Sequence, residues 1–313
     1  MNTMKLTLPL PLLVALACAP SLALATPILG SDLASFTVLG ATTVTNVPPS
    51  NIVGNVAVWA GTALPGFNYV AGTATSDPQV SEGLVHSNTA LAASAQDQLT
   101  TARLNLDSLG TGTTLPLADM ANLILTPGVY TVPEGTTNLS GVLTLDGQGN
   151  ANAAWVFQMP ATLITSPNSV VNLIGTGDGA GVFWNVGSSA TIDTNTTFLG
   201  NILALSSISM NSTATILCGR ALADTGAVTL IMNSLGGVCE DEFAGSDGLN
   251  GGLDVTSSPG SPDTVTFLPF APVNGGGTVP EPGTMALVGL AFAGLSLTRR
   301  RHHARSTLNP AVV

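Results

Sequence analysis

A regular spacing of glycines constrains the fold of this chain more than any other feature. Gly181, Gly200 and Gly219 begin similar segments, and the steps between them are 19 residues. Each segment contains a nearly continuous apolar run, a corner of small residues and then an alternating run. A period of this length is typical of proteins that stack coils of chain, because one coil cannot bury a core alone.

The runs within each repeat predict three short strands whose faces differ. The continuous runs are apolar on both sides and need cover from outside as well as inside; they occupy residues 155–157, 183–184 and 202–205. The alternating strands should point Thr191, Ser209 and Thr229 outward. Their inward residues are Ile192, Ile208, Met210, Val228 and Leu230. We therefore predict a mainly β chain, a parallel β-solenoid of roughly triangular cross-section.

Residues 87–109 predict one long α-helix. They contain neither Gly nor Pro, and their leucines recur at helical spacing. We expect the helix to begin after Pro78, to end at Gly110 and to pack along one face of the solenoid. His86, just before this segment, is expected to be exposed.

The first 25 residues read as a secretory signal peptide. Lys5 precedes an apolar stretch, and Ala23-Leu24-Ala25 provides a small-residue cleavage site. A lipoprotein signal centred on Cys18 is the weaker alternative. Secretion makes a disulfide between Cys218 and Cys239 the default interpretation, with two separate buried thiols as the alternative.

The other end carries a second processing segment. The motif VPEPGT is followed by an apolar run from Met285 to Leu297 and then by three arginines, residues 299–301. This run is shorter than the ~20 residues of a normal membrane span, so a short transmembrane helix within a sorting tail is expected. The segment resembles the bacterial PEP-CTERM sorting signal, which implies an exosortase-type processing protease. An ordinary C-terminal anchor is the alternative.

These signals divide the chain into five parts. They are the signal peptide (1–25), the solenoid domain (26–235), a Gly/Ser/Asp-rich extension and linker (236–279), the sorting tail (280–301) and a disordered tail (302–313). Within the extension, the sequences DVTSS and DTVTFLPF could pair as an extra strand or as a hairpin. The expected location is extracellular or on the outer envelope of a Gram-negative bacterium.

The charge between the two signals excludes several functions. Residues 26–279 hold 17 acidic residues and 2 basic ones, a net charge of −15, so nucleic-acid binding is not expected. Because these residues contain a single His and no Lys, we predict no catalytic residues, no metal site and no cofactor. Glu240, Asp241 and Glu242 lack the spacing of a calcium-binding loop.

Pairs of threonines recur at a regular spacing along the sequence. Thr194 and Thr196 recur 19 residues later as Thr213 and Thr215. We expect Thr194 to stack over Thr213 and Thr196 over Thr215, about 4.8 Å apart, on the third face of the solenoid. Such a sheet presents hydroxyl and methyl groups on β-branched side chains with few rotamers to lose, and it could order water.

Several stretches between residues 29 and 233 have a distinctive sequence, among them LTPGVYTV (125–132), GVFWNVGSSATI (181–192) and TTFLGNILAL (196–205). Through these stretches the chain resembles the microbial ice-binding protein family. This resemblance implies a discontinuous, right-handed solenoid, in which the strand near 36–46 is inserted beside the C-terminal coils and a long helix flanks one face.

The family's Thr-(Ala/Gly)-x-(Thr/Asn) motif indicates candidate ice-binding residues. The candidates are Thr43, Thr45, Thr194, Thr196, Thr197, Thr213 and Thr215. The match is incomplete, because Asn195 replaces Ala or Gly in one copy and Ile216 replaces Thr or Asn in another. A secreted, monomeric antifreeze or recrystallisation-inhibiting protein is expected. An extracellular matrix or adhesion protein, with polysaccharide as a possible partner, is the alternative.

Overall fold

A computed structural model describes residues 26–239, 246–257 and 260–273. The predicted signal peptide, the acidic residues 240–242, the sorting tail and the predicted disordered tail lie outside these residues. The described chain is mainly β, which confirms the predicted class. Described residues up to Ala271 belong to one compact unit, and Pro272 begins another.

Two helices and 24 strands make up the described chain. The helices are α1 (Ser31–Ala34) and α2 (Ala90–Ser108). The strands before α2 are β1 (Thr26–Pro27), β2 (Phe36–Gly40), β3 (Val44–Val47), β4 (Asn51–Val53), β5 (Asn55–Val58), β6 (Ala74–Thr75), β7 (Val80–Ser81) and β8 (Val85–Ser87).

The strands after α2 provide most of the repeats. They are β9 (Thr113–Thr114), β10 (Ile124–Leu125), β11 (Gly128–Thr131), β12 (Val142–Asn150), β13 (Ala154–Met159), β14 (Leu163–Ile164), β15 (Val170–Thr176), β16 (Gly181–Val186), β17 (Ala190–Ile192), β18 (Thr197–Ala204), β19 (Ile208–Met210), β20 (Thr215–Ala223), β21 (Val228–Ile231), β22 (Ser234–Gly236), β23 (Leu253–Thr256) and β24 (Thr264–Phe267).

The repeats form three ladders of strands. The helix-side ladder has the order β6-β8-β5-β2-β20-β18-β16-β13-β11-β9, and the branch ladder has the order β10-β12-β15-β18-β20-β22-β4-β7. The five-stranded sheet has the order β14-β17-β19-β21-β3. Strands β18 and β20 are long enough to turn a corner and belong to both of the first two ladders. All pairs in these ladders are parallel except β6 with β8.

Each coil therefore visits the five-stranded sheet, the branch ladder and the helix-side ladder in turn. The N-terminal strands stack beyond the last C-terminal coil, since β2 lies between β20 and β5, and β3 pairs with β21. This out-of-order stacking agrees with the discontinuity that the family resemblance implied. It also covers the polar edge that β20 would otherwise expose.

Large side chains from successive coils stack along the interior. The rings of Tyr130, Phe157, Trp184 and Phe198 follow one another at centroid distances of 6.0, 4.0 and 4.9 Å. The Trp184 indole nitrogen donates to a backbone carbonyl, at 2.9 Å from Leu199 O. All five apolar residues that the sequence predicted to point inward from the alternating strands are buried.

Helix α2 covers the outer side of the helix-side ladder. Its buried side chains are Ala92, Ala95, Gln96, Leu99, Ala102, Asn105 and Leu106. The apolar members of this set share a cluster with Val156, Phe183, Leu203 and Leu222 of four successive strands. The small alanines allow the helix to approach the strands closely.

The start of α2 differs from the sequence expectation. The helix begins at Ala90 rather than nearer Pro78, because residues 85–87 pair with β5 as strand β8. The hydroxyl of Thr89 caps the helix by accepting from Ala92 N at 3.2 Å.

The expectation of an exposed His86 is wrong. Pairing of β8 with β5 places the ring edge-to-face with Phe36 at 5.2 Å, and only 7% of the residue is exposed. Its Nδ1 atom lies 3.2 Å from the capping hydroxyl of Thr89. Burial lowers the pKa of His86 from its ordinary 6.5.

We predict that acid weakens the fold partly through His86. Below pH of about 6.5 the unfolded chain binds a proton that the native chain resists, so the His86 contribution is complete above that pH and is lost as the pH falls. Thermal melts of wild type and His86→Gln at pH 7.5 and 5.5 measure this. The melting temperature of the variant should fall less, and equal falls would contradict the prediction.

Candidate functional site

The seven candidate threonines do not share one surface. Thr197 and Thr215 lie on the branch ladder. Thr45 lies in strand β3 of the five-stranded sheet, and Thr43 lies just before that strand. The other three, Thr194, Thr196 and Thr213, belong to the corner between these two surfaces. The structure therefore separates residues that the Thr-x-Thr pattern had grouped.

The predicted stacking of the two Thr-x-Thr units is wrong by one residue. Thr197 pairs with Thr215, so the repeat at this surface is 18 residues rather than 19. Asn195 accordingly accepts a hydrogen bond from the Thr213 hydroxyl. The extra residue lies further along, because the register shifts between Phe198 and Gly200 before Gly200 pairs with Gly219.

Thr196 is buried and cannot contact a ligand at the surface. Its hydroxyl lies 3.2 Å from the Thr165 hydroxyl and donates to Ser166 O at 3.2 Å. The residue next to it, Thr197, is half-buried on the outward side of the branch ladder.

The corner column has a left-handed backbone. Asn168, Asn195 and Thr213 have φ angles of 60°, 57° and 61°. Asn visits this conformation readily, whereas a β-branched residue is strained there. The Asn195 side-chain amide donates to the carbonyl oxygen of the Asn168 side chain at 3.4 Å, so Asn at position 213 could extend the same contact.

The five-stranded sheet presents an unbroken outward row. Thr45 pairs with Thr229, Thr229 with Ser209, and Ser209 with Thr191. The row ends at Ile164, which pairs with Thr191. The four hydroxyl-bearing residues are each half-buried, and the side chains on either side of them along each strand point into the core.

These four hydroxyls are available to water. Within residues 26–239 and the two shorter described ranges, none of them has a hydrogen-bond partner in the protein. A neighbouring row begins at Thr43 and continues through Ala227, Ser207 and Ser189. Two of its side chains are fixed by the backbone, because Ser207 Oγ accepts from Ala227 N at 3.1 Å and Ser189 Oγ accepts from Ser207 N at 3.3 Å.

The five-stranded sheet is more regular than the branch ladder. Its four strand pairs show no register shift, whereas the branch ladder has shifts after Asp146 and Phe198. Both surfaces expose large apolar side chains: 53% of Leu217 and 44% of Ile174 on the branch ladder, and 47% of Val47 at the end of β3 in the five-stranded sheet. A shift-free parallel sheet keeps its side chains in a more nearly planar, evenly spaced array.

One carboxylate borders the five-stranded sheet. Asp193 follows β17 at the corner, where the Asn211 side-chain amide donates to it at 2.8 Å and Thr194 N donates at 2.7 Å. These hydrogen bonds lower the pKa of Asp193, so it is ionised at neutral pH. The charge stays at the margin and leaves the central row neutral.

Sequence reasoning predicted most of these outward residues but did not group them into one row. Thr191, Ser209 and Thr229 were predicted to point outward, but the array was assigned to the next strand of the repeat. Thr45 was chosen from its motif, and its place beside Thr229 depends on an out-of-order strand pair. The alternating pattern of polar residues in β17, β19 and β21 was the available signal.

No group of three or more potential metal-binding side chains occurs in the described part of the chain. Across residues 26–239, 246–257 and 260–273, no helix is long and apolar enough to cross a membrane. Cys218 and Cys239 form a disulfide with a Cα–Cα distance of 4.7 Å.

Comparison with known proteins identifies the family. Residues 38–235 match the family described as Ice-binding-like. The chain belongs to this family. Residues 278–301 match the PEP-CTERM protein-sorting motif, which confirms the sorting signal and indicates delivery to the envelope or the exterior.

Individual members of the Ice-binding-like family support this assignment. An ice-binding protein of Nostoc sp. (strain HG1) is 42% identical over 205 residues, which cover 66% of this chain and 72% of the relative. The crystal structure of an ice-binding protein from an Antarctic biological consortium is 31% identical. It has a TM-score of 0.58 and covers 75% of this chain and 96% of its own. Another, from the Antarctic ascomycete Antarctomyces psychrotrophicus, is 32% identical with a TM-score of 0.59, covering 66% and 95%.

We predict that Thr196→Val destabilises the fold without changing any exposed surface. The change leaves Ser166 O and the Thr165 hydroxyl without this buried partner, at a cost of about 1–3 kcal/mol. Urea unfolding measures the loss. Thr197→Val is the matched control and should change stability by less than about 0.5 kcal/mol, so comparable losses would contradict the assigned burial.

We also predict that Thr213→Asn stabilises the chain. Relief of the left-handed backbone strain should add about 1 kcal/mol to the free energy of unfolding. Thr215→Asn, two residues later in a strand, should be neutral or destabilising because Asn is a poor strand former. A lower urea midpoint for Thr213→Asn than for wild type would show that the corner prefers Thr.

Proposed function

We propose that this protein adsorbs to ice through the five-stranded sheet. The observation that carries the proposal is the row Thr45, Thr229, Ser209 and Thr191, which continues through four paired strands without a register shift. Membership of the Ice-binding-like family makes ice the leading ligand for such a row. The ice-binding relative from Nostoc supports the same conclusion.

The chemistry of this row suits an ordered layer of water. Parallel strands place successive hydroxyls about 4.8 Å apart, and alternate residues along a strand lie about 6.7 Å apart on the same side. The hydroxyl of Thr anchors a water molecule while its methyl group restricts the arrangement of neighbouring water. A β-branched side chain also loses little rotamer entropy on binding.

The scaffold supports adsorption by being stiff. We infer that the stacked coils form a right-handed β-solenoid of roughly triangular cross-section, with α2 on one of its three faces. Backbone hydrogen bonds hold each coil on two sides, and the aromatic stack fills the interior. The hydroxyls therefore already hold their binding geometry before they contact ice. This preorganisation lowers the entropic cost of adsorption.

Adsorption of this kind would inhibit ice growth by pinning the ice front, which must then curve between bound molecules. The role needs no reaction, cofactor or metal, and we propose a monomer without enzymatic activity. The sorting motif supports secretion to the exterior or outer envelope of a Gram-negative bacterium, with processing by an exosortase-type protease. The protein would meet ice outside the cell as an antifreeze or recrystallisation inhibitor.

We predict that Thr229→Tyr together with Ser209→Tyr abolishes ice adsorption. Two large rings in the centre of the row prevent close approach of the sheet to a flat crystal surface. Incorporation into a slowly growing ice hemisphere and shaping of single ice crystals are the measurements. Circular dichroism checks that the fold is retained.

Thr197→Tyr together with Thr215→Tyr is the matched control on the branch ladder. It should leave adsorption close to that of wild type. Loss of adsorption only in this pair would transfer the site to the branch ladder, as the sequence pattern first indicated. Exclusion of the wild-type protein from ice would leave the matrix or adhesion role as the better interpretation.

A further inference from the structure

A cavity of about 320 Å³ lies where helix α2 ends against the helix-side ladder. Its wall comes from the last turns of α2 and from the ends of β11, β13 and β16. Two of the lining residues, Asp107 and Pro160, are exposed, so the cavity can be reached from solvent. The volume falls at the lower end of the range for small-molecule sites, about 300–1,000 Å³, which suits a compact ligand.

A network of hydrogen bonds fixes three polar side chains of this cavity. The side-chain amide of Asn185 donates to Asp107 Oδ1 at 2.6 Å and to Gln158 Oε1 at 2.9 Å. Gln158 in turn donates through Nε2 to Leu106 O, near the end of α2, at 2.6 Å. Each amide is oriented by the partners that it has. The three side chains therefore hold one arrangement before a ligand arrives, which lowers the cost of binding.

Two polar atoms of the lining residues are left unsatisfied by the protein. Among the residues that the structure describes, Oδ1 of Asn185 and Nε of Arg103 are buried and have no hydrogen-bond partner. Asn185 is only 3% exposed. Buried polar groups without a partner are rare in native proteins because they are costly. One of these atoms is an acceptor and the other a donor, and a ligand hydroxyl can serve either.

The position of Asp107 does not favour the helix that carries it. This residue is in the last turn of α2, and that turn holds no basic residue to offset its charge. The carbonyl groups at a helix C-terminus already give this end a negative potential, so a carboxylate there is unfavourable. A carboxylate has about four acceptor positions, so Asp107 can accept from a ligand while it accepts from Asn185.

The charges and the apolar part of the wall select the class of ligand. The positive charge of Arg103 is matched by Asp224 at 3.1 Å, and Asp107 adds a negative charge, so an anion is disfavoured. Met159 and Pro160 supply apolar surface. A sugar ring combines a face of C–H groups with neutral hydroxyls that both donate and accept. These properties match the mixture of carboxylate, amide and apolar groups in the wall.

We propose that this cavity binds one neutral sugar unit. The ring lies against Met159 and Pro160, and its hydroxyls hydrogen-bond to Asp107 and to the unpaired atoms of Asn185 and Arg103. A free sugar and a single unit of an extracellular polysaccharide offer the same chemistry. The site is separate from the hydroxyl row of the five-stranded sheet, and its occupation does not depend on ice binding.

Saturation-transfer NMR on the full-length chain tests the proposal. The probes are the methyl pyranosides of glucose, galactose and mannose, and maltohexaose, each at about 10 mM so that a millimolar Kd is detected. At least one probe should receive saturation from the protein. Transfer to a methyl pyranoside indicates a site for a free sugar or a chain end, and transfer to maltohexaose alone indicates a unit within a polysaccharide. Transfer to none of the four overturns the proposal.

A pair of variants on α2 assigns the binding to this cavity. Asp107→Ala removes a charged acceptor and should raise the Kd of the bound probe at least about tenfold. Asp97→Ala is the matched control, because Asp97 is an exposed acid of the same helix that does not line the cavity, and it should leave the Kd unchanged. Circular dichroism checks that both variants are folded. An unchanged Kd for Asp107→Ala, or an equal rise for both variants, would show that the sugar binds elsewhere.

Discussion

Backbone hydrogen bonds between parallel coils determine where every outward hydroxyl lies. Thr45, Thr229 and Ser209 carry no mutual side-chain hydrogen bonds, yet they stand in line because their strands pair residue by residue. The spacing of the row is therefore as regular as the pairing of the strands that carry it. Where the ladder admits an extra residue, as it does after Phe198, the array on that side is interrupted.

The three sides of the coil differ in the polarity of their outer surfaces, and other parts of the chain cover the apolar side. The helix-side ladder is apolar on its outer surface, so α2 covers it, and residues 249–251 hydrogen-bond to the backbone of the corner beside it. The five-stranded sheet has core residues on one side only and needs no cover. Its free surface is thus a consequence of side-chain alternation within strands such as β19, whose Ser209 lies between the buried Ile208 and Met210.

Much of the fold could be predicted because its signals are local. The inward residues predicted for β17, β19 and β21 are all buried. The segment of α2 was recognisable from its leucine spacing and from the absence of Gly and Pro. The register of the threonines was harder to predict. A repeat of 19 residues measured between glycines differs from the 18 residues between Thr197 and Thr215, because a bulge can take up one residue anywhere in the coil. His86 was misjudged for a related reason: its burial depends on pairing with a strand some thirty residues earlier.

The sequence alone determined that this chain is mainly β, repeats with a period near 19 residues and carries a PEP-CTERM sorting tail. Those properties follow from composition, period and motif, which are read along the chain. Only the tertiary structure decided that Thr45 extends the row of Thr229, that Thr196 is buried, and that residues 249–251 pack against the corner at Gly181. Each of these depends on which strands become neighbours, and the free energy that selects neighbours comes from burying a shared core rather than from any local preference.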